Sequence, residues 1–231
     1  IIVRAKERNE NVLAFARRYE KEFRRDVKAL RISSVDRYAR ATDHLKEIVR
    51  QIQTLITKGH AYEIPGNPPS GEAGGWYFDV TTFPDYGKLA RRTIAQAEDG
   101  VSRIDESVAK RNKADFVLWK YSHTRIHADK DADQRGIKEP SWASPIGKGR
   151  PGWHIEDTAI TEKYFGPQYD IHGAGIDLMF PHHEAEIAQQ ESASGKKPMV
   201  KIWMHAEFVL AGETKMSKSK GNFVTAHEFL E

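Results

Sequence analysis

Strand and helix patterns alternate between residues 155 and 205, and this alternation constrains the fold more than any other feature of the chain. Ile155–Tyr164 is typical of a helix, and the apolar segment Tyr169–His172 is typical of a strand. Pro181 suits the first position of a helix that ends near Gly195, and Lys201–His205 predicts a second strand. Strands separated by a helix favour parallel pairing. The sequence therefore predicts an α/β fold with one half of a parallel, doubly wound sheet.

The rest of the chain predicts helices and hairpins. Residues 1–30 are predicted to be helical, because apolar side chains recur at three- and four-residue steps from Val12 to Leu30. A second helix is predicted over Thr42–Lys58, with Thr42 or Asp43 as its N-cap and Gly59 just past its end. Further predicted segments are strands at 61–63 and 76–80 paired as a hairpin, a weakly helical stretch at 90–113, a strand at 115–120, a mobile polar loop at 121–141 and a hairpin at 208–215.

Composition excludes several classes of protein. The 231 residues contain no cysteine, which rules out disulfides, a thiol nucleophile and thiolate metal ligands within this stretch. The chain shows neither an apolar run of about 20 residues nor the apolar core of a signal peptide, so we expect a cytoplasmic protein without a membrane partner. A net charge of +3 is compatible with a nucleic-acid partner but does not require one. The missing initiator Met indicates part of a longer polypeptide.

Gly147–Gly152 matches the G-x-G-x-x-G pattern of dinucleotide-binding loops. Such a loop needs an apolar strand before it and a helix directly after it. No apolar strand leads into Gly147, and Pro151 followed by Trp153 does not predict the start of that helix. We therefore do not interpret this pattern as a dinucleotide site.

His182 and Glu186 lie four residues apart on a predicted helix, so their side chains share one face. An imidazole and a carboxylate placed in this way can bind one metal ion, and Asp157, His183 and Glu184 supply further nitrogen and oxygen donors. Zn²⁺ accepts such ligands. A polar helix start, with acids near the positive end of the helix dipole, explains the same pattern equally well. The spacing alone leaves both interpretations open.

The segment K-M-S-K-S-K-G-N at 215–222 combines three lysines, two hydroxyls and a glycine in one short loop. Ammonium groups can offset the charge that develops on a leaving pyrophosphate, and hydroxyls and backbone amides add hydrogen bonds. A loop rich in Lys and Ser is more often simply solvated. The five-letter string K-M-S-K-S is much more specific than its composition.

These strings resemble a known family. K-M-S-K-S at 215–219 is similar to the signature loop of class I aminoacyl-tRNA synthetases. Three others resemble cysteinyl-tRNA synthetases in particular: W-H-I-E at 153–156, D-I-H-G at 170–173 and D-L-M-F-P-H-H-E-A-E-I-A-Q at 177–189. The resemblance covers nearly the whole chain and is weakest over 121–140.

The resemblance implies a Rossmann-type class I synthetase catalytic domain with an inserted connective α+β subdomain, of which the second half is present here. It implies ATP-dependent activation of L-cysteine to cysteinyl-adenylate and transfer to tRNA(Cys), with Mg²⁺ accompanying ATP and a Zn²⁺ ion reading the substrate thiolate. The implied boundaries are 1–60 for the helical end of the first Rossmann half, 61–150 for the insertion, 151–212 for the second half, and 213–231 for the K-M-S-K-S loop and the start of a helical stem.

The resemblance also implies roles for individual residues. The matching positions are Asp157, His182 and Glu186 as metal ligands, Trp153 and His172 in the cysteine pocket, Gly175 and Asp177 at the adenylate, Lys215 and Lys218 as catalytic lysines, and Ser217, Lys218 and Ser219 at ATP.

Two departures from the family pattern affect what the site can do. Position 157 is Asp where the bacterial pattern has a zinc-binding Cys, which makes the ligand set harder and richer in oxygen. The string W-H-I-E-D-T-A is similar to that of archaeal-type members. The His-Ile-Gly-His motif of the upstream half is absent, so we expect this stretch alone to be inactive.

Two alternative functions remain open at the level of sequence. A paralogous ligase would join adenylated cysteine to a small amine and would not bind tRNA. A metal-binding module or hydrolase would use His182 and Glu186 and would not need the K-M-S-K-S string.

Overall fold

A computed structural model describes residues 1–66, 74–93, 96, 109–122, 139–217 and 220–230. The chain divides into two compact units. The central unit comprises residues 40–128 and 141–206, and the terminal unit comprises residues 1–39, 129–140 and 207–231. Most of the stretches predicted as weakly helical (90–113) and as a mobile loop (121–141) lie outside the described residues. Among the described helices, none is both long enough and apolar enough to cross a membrane.

Helices and strands are mixed along the chain, as expected for an α/β fold. The helices are α1 (Ile2–Glu7), α2 (Val12–Ala29), α3 (Leu45–Thr57), α4 (Trp153–Phe165), α5 (Glu184–Ser194) and α6 (Ala226–Leu230). The strands are β1 (Ala61–Ile64), β2 (Gly75–Phe78), β3 (Phe116–Tyr121), β4 (Gly149–Pro151), β5 (Tyr169–Gly175), β6 (Val200–Ala206), β7 (Leu210–Ala211) and β8 (Thr214–Lys215).

The predicted helical stretch at 1–30 is broken into α1 and α2. Asn9 lies between them with a φ of 56°, a left-handed conformation that stops the first helix. Asn11 then caps α2, because its side-chain oxygen accepts hydrogen bonds from the amides of Leu13 and Ala14, each at 3.1 Å. The periodicity missed this break because it starts at Val12 and does not cover the polar residues 6–11.

The second predicted helix forms as α3, but it begins later than expected. Its N-cap position is His44, and no side chain bonds to the free amides there, so the predicted cap at Thr42 or Asp43 is wrong. The predicted end is confirmed. Gly59 has a φ of 79°, its amide donates to Ile56 O and the His60 amide donates to Leu55 O. This pair of bonds is a Schellman motif.

The four strands β1 to β4 form one antiparallel sheet in that order. The predicted hairpin is confirmed, with Tyr62 opposite Tyr77. The helix after β4 begins at Trp153 with Gly152 as its N-cap, which corrects the expectation that no helix starts there. Of the three glycines in the G-x-G-x-x-G pattern, Gly149 and Gly152 pack closest to the backbone of β3.

One hydrophobic core joins this sheet to α3, α4 and α5 of the central unit. The side chains with almost no exposure come from both the sheet and the helices; they are Trp119, Phe78, Leu118, Ile48, Ile52, Leu55 and Ile155. The predicted insertion 61–150 therefore shares its core with the helices that carry the candidate site. The predicted domain boundaries stay predictions.

The strands β5 and β6 pair in parallel, which confirms the strand–helix–strand prediction for this region. His172 lies opposite Trp203, and Ala174 lies opposite His205. These four residues are half-buried, whereas the residues that alternate with them along the two strands (171, 173, 202 and 204) are exposed. The half-buried face of the pair therefore carries the two histidines.

The connection from β5 to α5 agrees in part with the prediction. Met179–His183 form a π-helical segment in which only Phe180 departs from helical angles (φ −136°, ψ 133°), and its extended conformation is the one that a residue before proline prefers. Helical backbone angles therefore begin at Pro181, as predicted. The α-helix starts at Glu184 and ends at Gly195, which has a φ of 74°. The predicted end near Gly195 is confirmed.

Candidate metal centre

The predicted metal ligands come together in the central unit. Asp157 lies in the first turns of α4, His182 in the π-helical segment and Glu186 in the first turn of α5. His182 Nε2 is 2.9 Å from Asp157 Oδ2 and 3.5 Å from Glu186 Oε1. One ligand atom from each residue lies within 4.8 Å of the other two. The four-residue spacing of His182 and Glu186 thus places both on the same side of the helix start, as predicted.

Glu186 is fully buried, and its surroundings favour a cation. Neither carboxylate oxygen has a hydrogen-bond partner among the described residues. Burial, with a smaller contribution from the charge of Asp157, raises the pKa of Glu186 well above its ordinary value. A buried carboxylate without a partner is unfavourable, and a cation would supply the missing counter-charge. One imidazole and two carboxylates therefore fit a divalent metal ion, including Zn²⁺.

A second imidazole holds His182 in place. His154 Nδ1 is 2.6 Å from His182 Nδ1, and both rings are buried. Burial, with the neighbouring His182 and His183, lowers the pKa of His154 well below its ordinary value. A neutral His154 can accept the Nδ1 proton of His182, which leaves the His182 Nε2 lone pair free to bind a metal ion.

Two further histidines line the same region. His172 Nδ1 is 2.6 Å from the hydroxyl of Tyr169, and His183 Nδ1 is 2.8 Å from His205 Nε2. Burial lowers the pKa of His172, and it lowers the pKa of His183 to about 3, with neighbouring imidazoles adding to the effect. Neutral rings are the form in which histidine binds metals.

The residues predicted for the cysteine pocket flank the candidate metal ligands. The Trp153 ring stacks on His182, with 3.7 Å between ring centroids and 4° between planes, and it remains half-exposed. His172 Nε2 is 3.6 Å from Glu186 Oε2, and its ring stacks on Trp203 at 4.7 Å. Trp153 and His172 therefore each contact a member of the candidate ligand set.

Gly175 and Asp177 lie where β5 ends. A Cβ atom at Gly175 would lie 2.6 Å from Asp177 Oδ1, so a larger residue at position 175 would displace this carboxylate oxygen. Ligands of open α/β sheets bind beyond the carboxyl ends of the strands. The pair lies at such an end.

The K-M-S-K-S segment belongs to the terminal unit, where Lys215 ends the predicted hairpin of β7 and β8. Lys218 and Ser219 lie outside the described residues. Asn222 holds the two ends of the loop together: its Oδ1 accepts from the Ser217 amide at 2.9 Å, and its Nδ2 donates to Thr214 Oγ1 at 3.0 Å and to Lys215 O at 3.2 Å. Lys215 Nζ lies 3.4 Å from the centroid of the Phe208 ring.

The structure changes the expected role of Glu184. The sequence predicted it as a further metal donor, but its buried carboxylate accepts hydrogen bonds from the amides of Gly87 at 2.9 Å and Ala90 at 2.6 Å. It therefore ties the loop after β2 to the start of α5. Among the described residues, it is not one of the side chains whose ligand atoms come close enough together to hold a metal ion.

Sequence reasoning missed His154, Tyr169 and His205 as supports of the site. His205 could have been found from the two-residue repeat of β6, which places it on the same face as Trp203. The sequence carries no comparable signal for His154, because its contact with His182 joins residues on different elements.

A buried polar network fixes the two helices that supply the ligands. Gln189 Nε2 donates to the carbonyl of His154 at 2.6 Å and to Thr158 Oγ1 at 2.8 Å. Thr158 Oγ1 donates in turn to Gln51 Oε1 at 2.7 Å. The network links α3, α4 and α5, so it sets the separation between Asp157 and the ligands on the other helix.

The chain resembles known proteins along its full length. Residues 1–231 match the family model described as the class I (C) tRNA synthetase catalytic domain. The cysteine–tRNA ligase of Thermoplasma acidophilum is 46% identical over 231 residues, which cover 100% of this chain and 46% of that protein. The cysteine–tRNA ligase of Heliobacterium modesticaldum is 44% identical over 233 residues, with 100% and 44% covered. That of Pyrococcus furiosus is 43% identical over 231 residues, with 100% and 44% covered.

The chain thus spans slightly less than half the length of the curated relatives that it matches. The family match extends over residues 1–231, so it includes both the candidate metal ligands and the K-M-S-K-S string. The chain belongs to the class I (C) tRNA synthetase catalytic domain family, that of the cysteinyl-tRNA synthetases.

Proposed function

We propose that the protein containing this chain is a cysteine–tRNA ligase of the cytoplasm, which activates L-cysteine with ATP to cysteinyl-adenylate and transfers the cysteinyl group to tRNA(Cys). The observation that carries the proposal is the cluster of Asp157, His182 and Glu186 within 4.8 Å, around a buried carboxylate without a hydrogen-bond partner among the described residues. Membership of the synthetase family supports the same reaction.

The proposed role of Asp157, His182 and Glu186 is to hold Zn²⁺. When bound there, Zn²⁺ would take the thiolate of the substrate cysteine as a ligand, which serine and alanine cannot supply. His154 holds the ring of His182 through Nδ1 and so keeps Nε2 directed at the two carboxylates. Selectivity would then come from the preference of the metal for sulfur, without an editing site.

Trp153 and His172 are proposed to bind the amino acid beside the metal ligands. Trp153 covers one face of His182, and burial of that face excludes water from the ligand. His172 is held by Tyr169 on one side and faces Glu186 on the other. Both side chains are thus positioned before a substrate binds, which lowers the entropic cost of binding.

The adenylate is proposed to bind at Gly175 and Asp177. ATP with Mg²⁺ is proposed to bind at Lys215, Ser217, Lys218 and Ser219. In adenylation a carboxylate oxygen of cysteine attacks the α-phosphorus of ATP, and pyrophosphate leaves. The lysine ammonium groups would offset the negative charge that develops on pyrophosphate. Asn222 would keep Ser217 and Lys215 in one loop conformation.

The domain boundaries at residues 60, 150 and 212 remain part of the proposal. The paralogous cysteine–amine ligase and the metal hydrolase are not favoured, since the relatives named above are cysteine–tRNA ligases.

The test is ATP–pyrophosphate exchange by the full-length protein with each standard amino acid in turn. We expect exchange with cysteine to exceed that with every other amino acid, and we expect charging of tRNA(Cys) when tRNA is added. Exchange with a different amino acid, or with none, would overturn the proposal. Exchange with cysteine but no charging of tRNA would favour the amine ligase.

The role of Lys218 is tested in the same assay. Lys218→Ala should lower the exchange rate because charge stabilisation of pyrophosphate is lost, while cysteine binding changes little. Lys196→Ala, at an exposed lysine of the central unit, is the matched control and should exchange at the normal rate. Equal rates for the two variants would remove Lys218 from the proposed site.

A further inference from the structure

The helix α2 carries a line of basic side chains along one face. One cation follows another at steps of four and three residues, which places them on the same side of a helix. They are Arg17, Lys21, Arg24, Lys28 and, just past the end of the helix, Arg31, and all five are exposed. We call these five residues the basic stripe. It lies in the terminal unit and shares no residue with the candidate metal centre.

The basic stripe belongs to a segment with an excess of positive charge. Residues 1–39 contain 11 of the 36 Lys and Arg of the chain but only 6 of its 33 Asp and Glu. Within the described part of the chain, Arg24 is the one member of the stripe that forms an ion pair, with Glu20 at 2.9 Å. Exposed cations that stand in a line without acidic partners attract a polyanion.

The last three cations of the stripe line a pocket of about 260 Å³. The remaining walls are formed by Val27, Ile32, Ser33 and Tyr38. Glu20 accepts a hydrogen bond from Arg24 Nε at 2.9 Å, and Arg24 Cζ lies 5.1 Å from the centre of the Tyr38 ring. These two contacts hold the guanidinium before a ligand binds. A held guanidinium with two further cations and a hydroxyl suits a phosphate group.

The backbone at Arg31 has a left-handed conformation, with a φ of 56°. Its amide donates to Lys28 O at 3.1 Å, and the Ile32 amide donates to Val27 O at 3.0 Å. These bonds form the same Schellman motif that Gly59 makes at the end of α3. Glycine is preferred at this position because a Cβ atom strains the left-handed conformation, and such strain concentrates at functional sites. An arginine here brings a third cation to the pocket although glycine would be less strained.

We propose that the basic stripe and its pocket bind the phosphate backbone of an RNA, with tRNA as the RNA that the proposed function supplies. The choice of tRNA rests on that proposed function. Steps of three or four residues separate neighbouring cations by about 5 Å along the helix axis, so successive phosphates of one strand can contact them in turn. Such contacts position the RNA without reading its sequence.

An anionic membrane surface fits the basic stripe less well. A basic amphipathic helix binds lipid by burying its apolar face in the membrane. On α2, the apolar residues Val12 and Phe15 are already buried in a small core with Ala5 of α1. The charge pattern is therefore available to a ligand, whereas this part of the apolar face is not.

The test is the salt dependence of tRNA binding. The full-length protein is titrated against a fluorescently labelled tRNA(Cys) transcript, with anisotropy read at several KCl concentrations. The triple variant Arg17→Gln, Lys21→Gln, Lys28→Gln removes three exposed cations of the stripe. We expect the slope of log Kd against log salt to fall by about 2–3, since each phosphate contact contributes about 0.7–0.9. Equal slopes in the triple variant and the wild type would overturn the proposal.

Three exposed lysines of the central unit give a matched control with the same change in net charge. The control variant is Lys46→Gln, Lys148→Gln, Lys196→Gln. It should keep the wild-type slope. An equal fall in the two variants would show an effect of overall charge and would refute the assignment to α2. Binding of phosphatidylserine vesicles that the triple variant loses, with no change in its tRNA slope, would assign the stripe to a membrane instead.

ATP–pyrophosphate exchange separates this proposal from the proposed function. Exchange with cysteine does not need tRNA, so the triple variant should exchange at the wild-type rate. A wild type that does not exchange with cysteine would overturn the proposed function, and the salt slope would still decide the role of the stripe. Normal exchange with an unchanged slope would overturn the role of the stripe alone.

Arg31→Gly tests the pocket in a variant that should fold. Glycine adopts the left-handed conformation without strain, so the midpoint of urea unfolding should not fall. The loss of one phosphate-binding cation should lower the salt slope by about 1. A folded Arg31→Gly variant with the wild-type slope would contradict the pocket as part of the binding surface.

Discussion

Replacing His154 by leucine tests whether a supporting imidazole controls the metal affinity of His182. His154 is 6% exposed, and its Nδ1 lies 2.6 Å from His182 Nδ1. For His182 to bind a cation through Nε2, its proton must be on Nδ1, where His154 accepts it. Leucine cannot accept, so His154→Leu leaves a buried N–H of His182 without a partner.

The magnitude follows from that unpaired group. A buried donor without an acceptor costs about 1–3 kcal/mol. At about 1.4 kcal/mol per factor of ten, this corresponds to a loss of affinity of about 10- to 100-fold. Residues that hydrogen-bond to metal-binding histidines show the same range when they are mutated. We therefore expect the Kd for Zn²⁺ to rise about 10- to 100-fold.

The assay is competition for Zn²⁺ between the full-length protein and a chromophoric chelator, with folding checked by circular dichroism. His154→Asn should recover part of the affinity, because its amide oxygen can accept from His182 Nδ1. His44→Leu is the control: it loses the contacts with Arg40 O and Tyr164 OH, yet it should leave the Kd unchanged. A folded His154→Leu variant with unaltered Zn²⁺ affinity would refute the reasoning.

Three further predictions concern the ligand set, the core and pH. Asp157→Cys should tighten Zn²⁺ binding because zinc favours thiolate, and an unchanged Kd would remove position 157 from the ligands. Ile52→Ala, at a fully buried site of α3, should lower the free energy of unfolding in urea by about 2–5 kcal/mol, and a loss below about 1 kcal/mol would mean that the core is not packed as described. Burial, with the charge of Lys58 adding to it, lowers the pKa of His60 below 6.5, so the folded state binds fewer protons than the unfolded state and stability should fall as pH drops below 6.5. His60→Gln should reduce the difference between the free energies of unfolding at pH 7 and pH 5.5, each measured by urea titration. An equal difference in both proteins would contradict this prediction.

Features that depend on a few consecutive residues could be predicted from the sequence. The end of α3 follows from Gly59, because glycine adopts the positive φ of 79° that the Schellman motif requires. The pairing of His182 with Glu186 follows from helical geometry, which places residues four apart on one face. The parallel pair of β5 and β6 follows from strands separated by a helix. Short-range backbone geometry decides the first two outcomes, and the preference of a helical connection for parallel strands decides the third.

The break between α1 and α2 was missed because the apolar pattern does not reach it. The stripe begins at Val12 and residues 6–11 are all polar, so the periodicity carries no information on Asn9, whose left-handed conformation separates the two helices. The helix start at Pro181 was easier to predict, because a residue before proline favours the extended angles that Phe180 adopts.

The chemistry of the site was decided by tertiary structure. The sequence names Glu186 as a ligand, but only the packing of α4, α5 and β5 buries both of its oxygens without partners among the described residues. The contacts of His182 with His154 and of Glu186 with His172 join residues 28 and 14 positions apart. Glu184 lies only two positions before Glu186, yet its carboxylate accepts a hydrogen bond from the amide of Gly87 and does not join the candidate metal ligands. Spacing along a helix determines which side chains share a face, whereas burial and side-chain partners depend on which other elements pack against that face.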